Sequence, residues 1–199
     1  MTISAIVLAA GRSARFRDGN KMLADVAGQP MIRRVLEAVA ASKVQEILLV
    51  TGKDGSRIVA AAGPGRWRAV SNPEPELGLS SSIRVGLAAV DANAKGVLIV
   101  LGDMPGVSST LIDALIATFE SRARSAIVYP VSGEGHQGHP VLWPAALFDE
   151  LKALTGDTGA KALLSKYAHL VITIPVADGA PFLDIDTVED LSKLKLGDR

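Results

Sequence analysis

Apolar residues along the chain fall into two alternating patterns. Short continuous runs rich in branched residues, Ile6-Val7-Leu8, Glu46-Ile-Leu-Leu-Val-Thr51 and Gly96-Val-Leu-Ile-Val-Leu101, suit strands covered on both faces. Between them the apolar positions recur at helical spacing: Ile32, Val35, Leu36 and Val39, then Ile83, Leu87 and Val90, then Ile112, Leu115, Ile116 and Phe119. A short Ala-rich helix over 56–62 ends at Gly63-Pro64-Gly65, and a shorter strand follows at 67–71. The run at 96–101 is the most apolar and should be central. A fifth strand is predicted over 126–130, a glycine-rich loop over 131–140, a strand remnant at Val141-Leu142-Trp143, helices over 145–154 and 157–167, and a last long strand over 170–175. Leu183–Asp186 reads as a strand-like segment before a C-terminal helix.

This alternation predicts an α/β fold with a mostly parallel, twisted sheet and helices on both faces, in three layers. At 199 residues, nearly half of them apolar, the chain can bury its core as one domain. The alternation runs through residues 1–125 and breaks after them, so residues 126–199 are expected to form a mixed sheet edge.

Charge narrows the partners. With 21 basic and 21 acidic residues there is no overall field to draw nucleic acid or an anionic membrane. The absence of cysteine excludes disulfides and thiolate metal sites. The start lacks the pattern of a secretory signal, and no window reaches the roughly 18 apolar residues of a membrane span, so a cytoplasmic protein is expected.

Positive charge is instead local. Ala9, Ala10 and Gly11 leave the backbone bare at the end of the first strand, and Arg12, Arg15, Arg17 and Lys21 follow against the single Asp18. Such a crowd of cations repels unless an anion joins it, and a polyphosphate at the C-terminal end of a strand would do so. Neither common phosphate motif is present. Lys21 is not set in a P-loop, and Gly11 stands alone where a dinucleotide fingerprint needs three glycines.

The ordered set Leu8-Ala9-Ala10-Gly11-Arg12-Ser13-Ala14-Arg15 with Lys21, Gly102-Asp103-Met104-Pro105, Gly138-His139-Pro140-Val141, Gly156-Asp157-Thr158-Gly159-Ala160 and Asp184-Ile185-Asp186-Thr187 resembles the molybdenum cofactor cytidylyltransferases and guanylyltransferases. The resemblance covers nearly the whole chain. It implies a single Rossmann-like domain of the nucleotide-diphospho-sugar transferase type, an NTP substrate, Mg²⁺ and a phosphorylated acceptor. CTP is favoured over GTP because the guanylyltransferases tend to have glycine where Ala10 stands. Molybdopterin is the favoured acceptor, with sugar or polyol phosphates as alternatives, and a molybdoenzyme or delivery chaperone as recipient. The relatives' usual Met-Gly after the arginine is Phe16-Arg17 here.

Asp103, at the end of a central strand, is the expected Mg²⁺ ligand, with an Asx-turn as the alternative. Asp184 is the candidate second carboxylate, since Asp186 with Glu189 fits a helix cap. Lys21 and Arg15 are expected on the triphosphate as catalytic cations. Leu8, Ala9, Ala10, Gly11, Arg12 and Ser13 are expected against the nucleotide. Ser80, Ser81 and Ser82 should cap a helix first and touch nucleotide or acceptor second, with Ser80 and Ser81 counted on the nucleotide side, and Asp157 should cap a helix or stand by the acceptor. The resemblance places His139 near the acceptor. His136 and His139 make a poor transition-metal pair without a third nitrogen or thiolate. A non-catalytic cofactor carrier and a nucleotide-cofactor oxidoreductase are the rival readings.

Overall fold

Strand β1 (Ile3–Ala9) is buried at every position, because successive side chains enter cores on opposite faces of a sheet. Ala5, Val7 and Ala9 join one core while Ile6 and Leu8 join the other. In chain order there follow β2 (Asp25–Val26), β3 (Gln29–Pro30), β4 (Glu46–Thr51), β5 (Arg68–Ser71), β6 (Gly96–Leu101), β7 (Ile127–Ser132), β8 (Val141–Pro144) and β9 (Val171–Val176). The helices are α1 (Met31–Ala40), α2 (Gly55–Ala62), α3 (Leu79–Ala88), α4 (Ser109–Ser121), α5 (Phe148–Lys152) and α6 (Lys161–Lys166). This computed structural model describes residues 2–11, 16, 19–157, 159–177, 179–185, 187 and 190.

The main sheet has seven strands in the order β5-β4-β1-β6-β8-β7-β9. The first four are mutually parallel, and β8 runs antiparallel between β6 and β7. Helices α1, α2 and α4 supply Ile32, Val35, Ile58, Ile112 and Phe119 to one core. Ile83 and Leu87 of α3, Leu151 of α5 and Leu163 and Leu164 of α6 supply the other. Each large apolar side chain so buried contributes about 1.5–3 kcal/mol. Three layers result, as the alternating pattern predicts. Among the described residues no helix is long and apolar enough to cross a membrane.

Strand order fixes where a ligand can bind. From β1 the chain builds outward through β4 to the edge strand β5, then returns to the other side of β1 as β6. This reversal opens a crevice at the C-terminal ends of β1 and β6, the usual ligand position in open α/β sheets.

Several local expectations change. Val141–Trp143 is no remnant but the body of an inner strand, buried at every position of β8. The helix expected over 145–154 begins as a 3₁₀ turn at Ala145–Leu147 and is α-helical only in α5. The helix expected from Asp157 starts at Lys161. Leu183–Ile185 is not a strand, and the C-terminal helix expected after it falls largely outside the described residues. A small hairpin, β2 with β3, turns through Ala27 and Gly28, both at positive φ. Its Val26, with Met31, encloses the fully buried Ile185.

Candidate active site

The crevice is built by close approach of backbone. The Gly102 N–H donates to the Leu8 carbonyl at 2.9 Å, and a Cβ on Gly102 would meet that oxygen at 2.8 Å and Met22 Sδ at 3.0 Å. Only glycine lets the end of β6 press so tightly on β1. Asp103 therefore emerges beside the loop that follows β1. In that loop Lys21 opens a 3₁₀ turn, Lys21–Leu23, whose preceding Asn20 accepts the Met22 N–H at 3.0 Å. Met22, at 2% exposure, pins the turn in the core. Asn20 also donates to Asp54 at 3.0 Å.

Lys21 Nζ lies 2.5 Å from Asp103 Oδ2 and 3.8 Å from Asp184 Oδ1. Asp184 arrives because the next residue is anchored twice: Ile185 is buried by Val26 and Met31, and its N–H donates to the Asp103 carbonyl at 3.1 Å. The Lys21 and Asp103 side chains are only 11% and 15% exposed, Asp184 50%. One ammonium thus holds two carboxylates at the mouth of the crevice. Sequence reasoning misses the hairpin that brings Asp184 there; its signal is the turn Ala27-Gly28 ahead of Gln29-Pro30. Two carboxylate groups aimed at one cation are a donor set that fits Mg²⁺, which keeps waters and phosphate oxygens for its remaining positions. Among the described residues no cluster of three or more His, Cys, Asp or Glu forms a closed protein cage for a metal.

Two cavities open along the sheet, neither of them lined by Lys21, Asp103 or Asp184. One, of about 390 Å³, lies at the ends of β1 and β4 and is lined by Ala9, Ala10, Gly11, Asn20, Gly52, Lys53, Asp54, Ile58 and Pro75. Lys53 and Asp54 were not anticipated, since nothing in the sequence marks the loop after β4 as ligand-facing. Leu8, expected against the nucleotide, instead buries its side chain in the core and gives its carbonyl to Gly102. Arg12, Ser13, Arg15 and Arg17 lie outside the described residues.

The second cavity, of about 480 Å³, lies between the face of β6 and β8 and helices α3 and α6. His139 lines it. Burial pushes the His139 pKa below its ordinary value, against the opposing pull of a hydrogen bond to the Ile99 carbonyl and of the Asp103 charge. The imidazole is therefore neutral near pH 7. Its Nδ1 is buried and has no hydrogen-bond partner among the described residues. His136 points to a different partner, Glu134, at 3.5 Å, and the two histidines form no metal pair.

The serines and Asp157 depart from expectation. Gly78, at φ +90°, takes the N-cap position of α3, and Ser80 and Ser81 lie buried inside its first turn. The Ser81 hydroxyl donates to the Glu74 and Gly78 carbonyls and accepts from Asn72, so it belongs to the helix junction rather than to a ligand. Ala160, not Asp157, precedes α6, and no side chain caps that helix. Asp157 is exposed and lies against Gly78, where a Cβ would come within 2.3 Å of its Oδ1. Its neighbours Gly159, Ala160 and Lys161 line the second cavity in its place.

Residues 5–171 match the family model described as "MobA-like NTP transferase domain". Over 96% of each chain the sequence is 28% identical to the nicotine blue oxidoreductase of Paenarthrobacter nicotinovorans. The structure of Rv0371c from Mycobacterium tuberculosis superposes with a TM-score of 0.84 at 28% identity, over 98% of this chain and 97% of that one. A manganese complex of Rv0371c superposes at 0.80. A CMP:2-keto-3-deoxy-manno-octonic acid synthetase solved with CTP shares the fold, with a TM-score of 0.75 at 16% identity over 97% of this chain and 96% of that one.

Proposed function

The chain belongs to the MobA-like NTP transferase domain family, and from that premise we propose that it transfers CMP from CTP to the phosphate of a small acceptor, molybdopterin being the favoured one. It is a nucleotidyltransferase; the base, the acceptor and the ion are our reading. The observation that carries it is the meeting of Lys21, Asp103 and Asp184 at the crevice where β1 and β6 end. Sheet order supports the division of labour, since residues at the ends of β1 and β4 line the first cavity and residues of β6 and β8 the second.

In this reading the bare backbone of Ala9–Gly11 takes the base and ribose, and Lys21 and Arg15 hold the triphosphate. Asp103 and Asp184 would hold Mg²⁺, which when bound neutralises phosphate charge and polarises the α-phosphate. The manganese complex of Rv0371c supports a divalent ion. An acceptor phosphate oxygen attacks the α-phosphorus in line, the bond to the bridging oxygen breaks, and pyrophosphate leaves. A phosphate monoester is already anionic near neutral pH and needs no general base. The residues act by orientation and by charge placed before the reaction starts. His139, neutral and enclosed, stands on the acceptor side as a hydrogen-bonding group. The product would pass to a molybdoenzyme or delivery chaperone.

Ala10 supports CTP, because its methyl narrows the cavity floor by an amount worth about 1–3 kcal/mol against a larger base. Pyrophosphate release measured over a panel of NTPs, with and without molybdopterin and with sugar and polyol phosphates, tests the reading: CTP with molybdopterin should give the highest kcat/KM. Release from GTP with any of these acceptors at equal efficiency removes the base assignment. A second reading has one observation behind it, the end-to-end likeness to a relative named as an oxidoreductase. Flavin or nicotinamide absorbance in the purified protein would favour that reading.

A further inference from the structure

Asp54 stands at the N-cap position of α2, yet its side chain makes no capping hydrogen bond there. Aspartate in that place ordinarily turns its carboxylate back onto the helix's own first N–H groups. Here it reaches out of its own element instead. Its Oδ2 accepts the Asn20 side-chain N–H at 3.0 Å, and Asn20 is only 8% exposed. The other end of the same amide is committed as well, since Asn20 Oδ1 accepts the Met22 N–H at 3.0 Å and so closes the 3₁₀ turn that opens with Lys21. A carboxylate only accepts hydrogen bonds, whereas an amide has one donating and one accepting end. With the amide reversed, its NH₂ would face the Met22 N–H and its oxygen would face the carboxylate. Asp54 therefore decides which way Asn20 points, and Asn20 holds the backbone from which the Lys21 side chain leaves toward Asp103.

We propose that Asp54 is a positioning residue for Lys21: by fixing the Asn20 amide, a carboxylate in the loop after β4 sets the turn that aims the Lys21 ammonium at Asp103 and Asp184. A turn of three residues is too short to hold itself. Burial of Met22 fixes its depth in the core, and the Asn20 side chain fixes its first N–H groups. What the link needs from position 54 is an acceptor, not a charge, since the Asn20 amide is neutral. Asparagine can supply one as well, whereas alanine cannot. The proposal deepens the nucleotidyl-transfer reading, on which it rests for what the aimed ammonium does, namely hold phosphate oxygens. The hydrogen-bonded link itself does not depend on that reading.

Asp54 also lines the cavity at the ends of β1 and β4, so the test reads the Lys21 ammonium directly, in the full chain without ligand. An ammonium held between carboxylates and 11% exposed exchanges its protons with water more slowly than an exposed one. In protein labelled with ¹⁵N at lysine it gives a separate signal at low temperature, which Lys21→Met assigns. The expected result is that Asp54→Ala moves that signal to the position of the exposed lysines or broadens it away, that Asp54→Asn leaves it in place, and that Asn20→Ala reproduces Asp54→Ala. Combining Asp54→Ala with Asn20→Ala should add nothing to either alone, as for two groups acting in one chain. Pyrophosphate release should follow in step: kcat falls about five- to tenfold in Asp54→Ala, the scale of one lost hydrogen bond, and recovers to within about twofold of the parent in Asp54→Asn. Retained dispersion of the amide spectrum shows that each variant is folded. A Lys21 signal unmoved by Asp54→Ala, or moved equally by Asp54→Asn, overturns the proposal. A signal that behaves as expected in a protein releasing no pyrophosphate from any NTP leaves the positioning role standing and removes the nucleotidyl-transfer reading, whereas turnover with an unmoved Lys21 signal does the reverse.

Discussion

The two cavities are built from different materials. The one at β1 and β4 is walled by backbone and small residues, Ala9, Ala10, Gly11 and Gly52, with polar side chains at its rim. The one at β6 and β8 is walled mostly by large aliphatic and aromatic side chains, with His136, Gln137, His139 and Lys161 among them. Main-chain N–H groups and bare surface suit a ligand of fixed, anionic character. Packed side chains suit discrimination among shapes. On the proposed function, the contrast would give recognition of a common substrate to one wall and choice of a particular partner to the other.

The strongest test strikes the cluster of Lys21, Asp103 and Asp184. Asp103→Asn should lower kcat roughly a thousandfold whichever substrate is varied, while the thermal melting midpoint stays near that of the parent; a rate within tenfold of the parent would detach the ion from Asp103. Lys21→Met is the more informative variant, because two effects of opposite sign are expected. Turnover should fall about a hundredfold, yet Mn²⁺ measured by electron paramagnetic resonance without nucleotide should bind about tenfold more tightly, since the resident ammonium no longer competes for the two carboxylates. Weaker ion binding in that variant would show that Lys21 supports the ion instead of standing in for it.

Two smaller effects separate the walls. At Gly52 a Cβ would meet the Ala10 carbonyl at 2.9 Å and the Pro75 ring at 3.3 Å. Gly52→Ala should therefore raise KM for the nucleotide several-fold and leave KM for the acceptor unchanged. The smallest effect belongs to His139. Its folded pKa lies below the unfolded value near 6.5, so the stability it contributes is full above that pH and is lost as pH falls through the lower folded value. Urea melts from pH 7 to pH 5 should show a decline that His139→Leu makes shallower; an unchanged slope would place the titration elsewhere.

Much of this was readable beforehand. Short apolar runs rich in branched residues and closed by turn signals read as strands buried on both sides, so β1, β4 and β6 followed from the sequence, and with them the shared edge where Lys21 and Asp103 meet. The hairpin of β2 and β3 was not legible because strands of two residues carry no periodicity. The place of Asp184 depended on it. Val141-Leu142-Trp143 looks alike whether a strand lies at an edge or inside a sheet, and only the pairing with both β6 and β7 decides. The serines after Gly78 carry a strong cap signal, but the glycine's backbone takes the cap position and draws the hydroxyls inward.

The seating of Ile185 under the hairpin has a consequence for how the catalytic cluster comes into being. Lys21 and Asp103 both come from the first 104 residues, whereas the second carboxylate hangs from a segment some eighty residues further on. A nascent or truncated chain ending before Leu183 would carry a nucleotide crevice with half its ion-binding pair. Competence would then arrive late, as the tail docks onto a scaffold that is already in place.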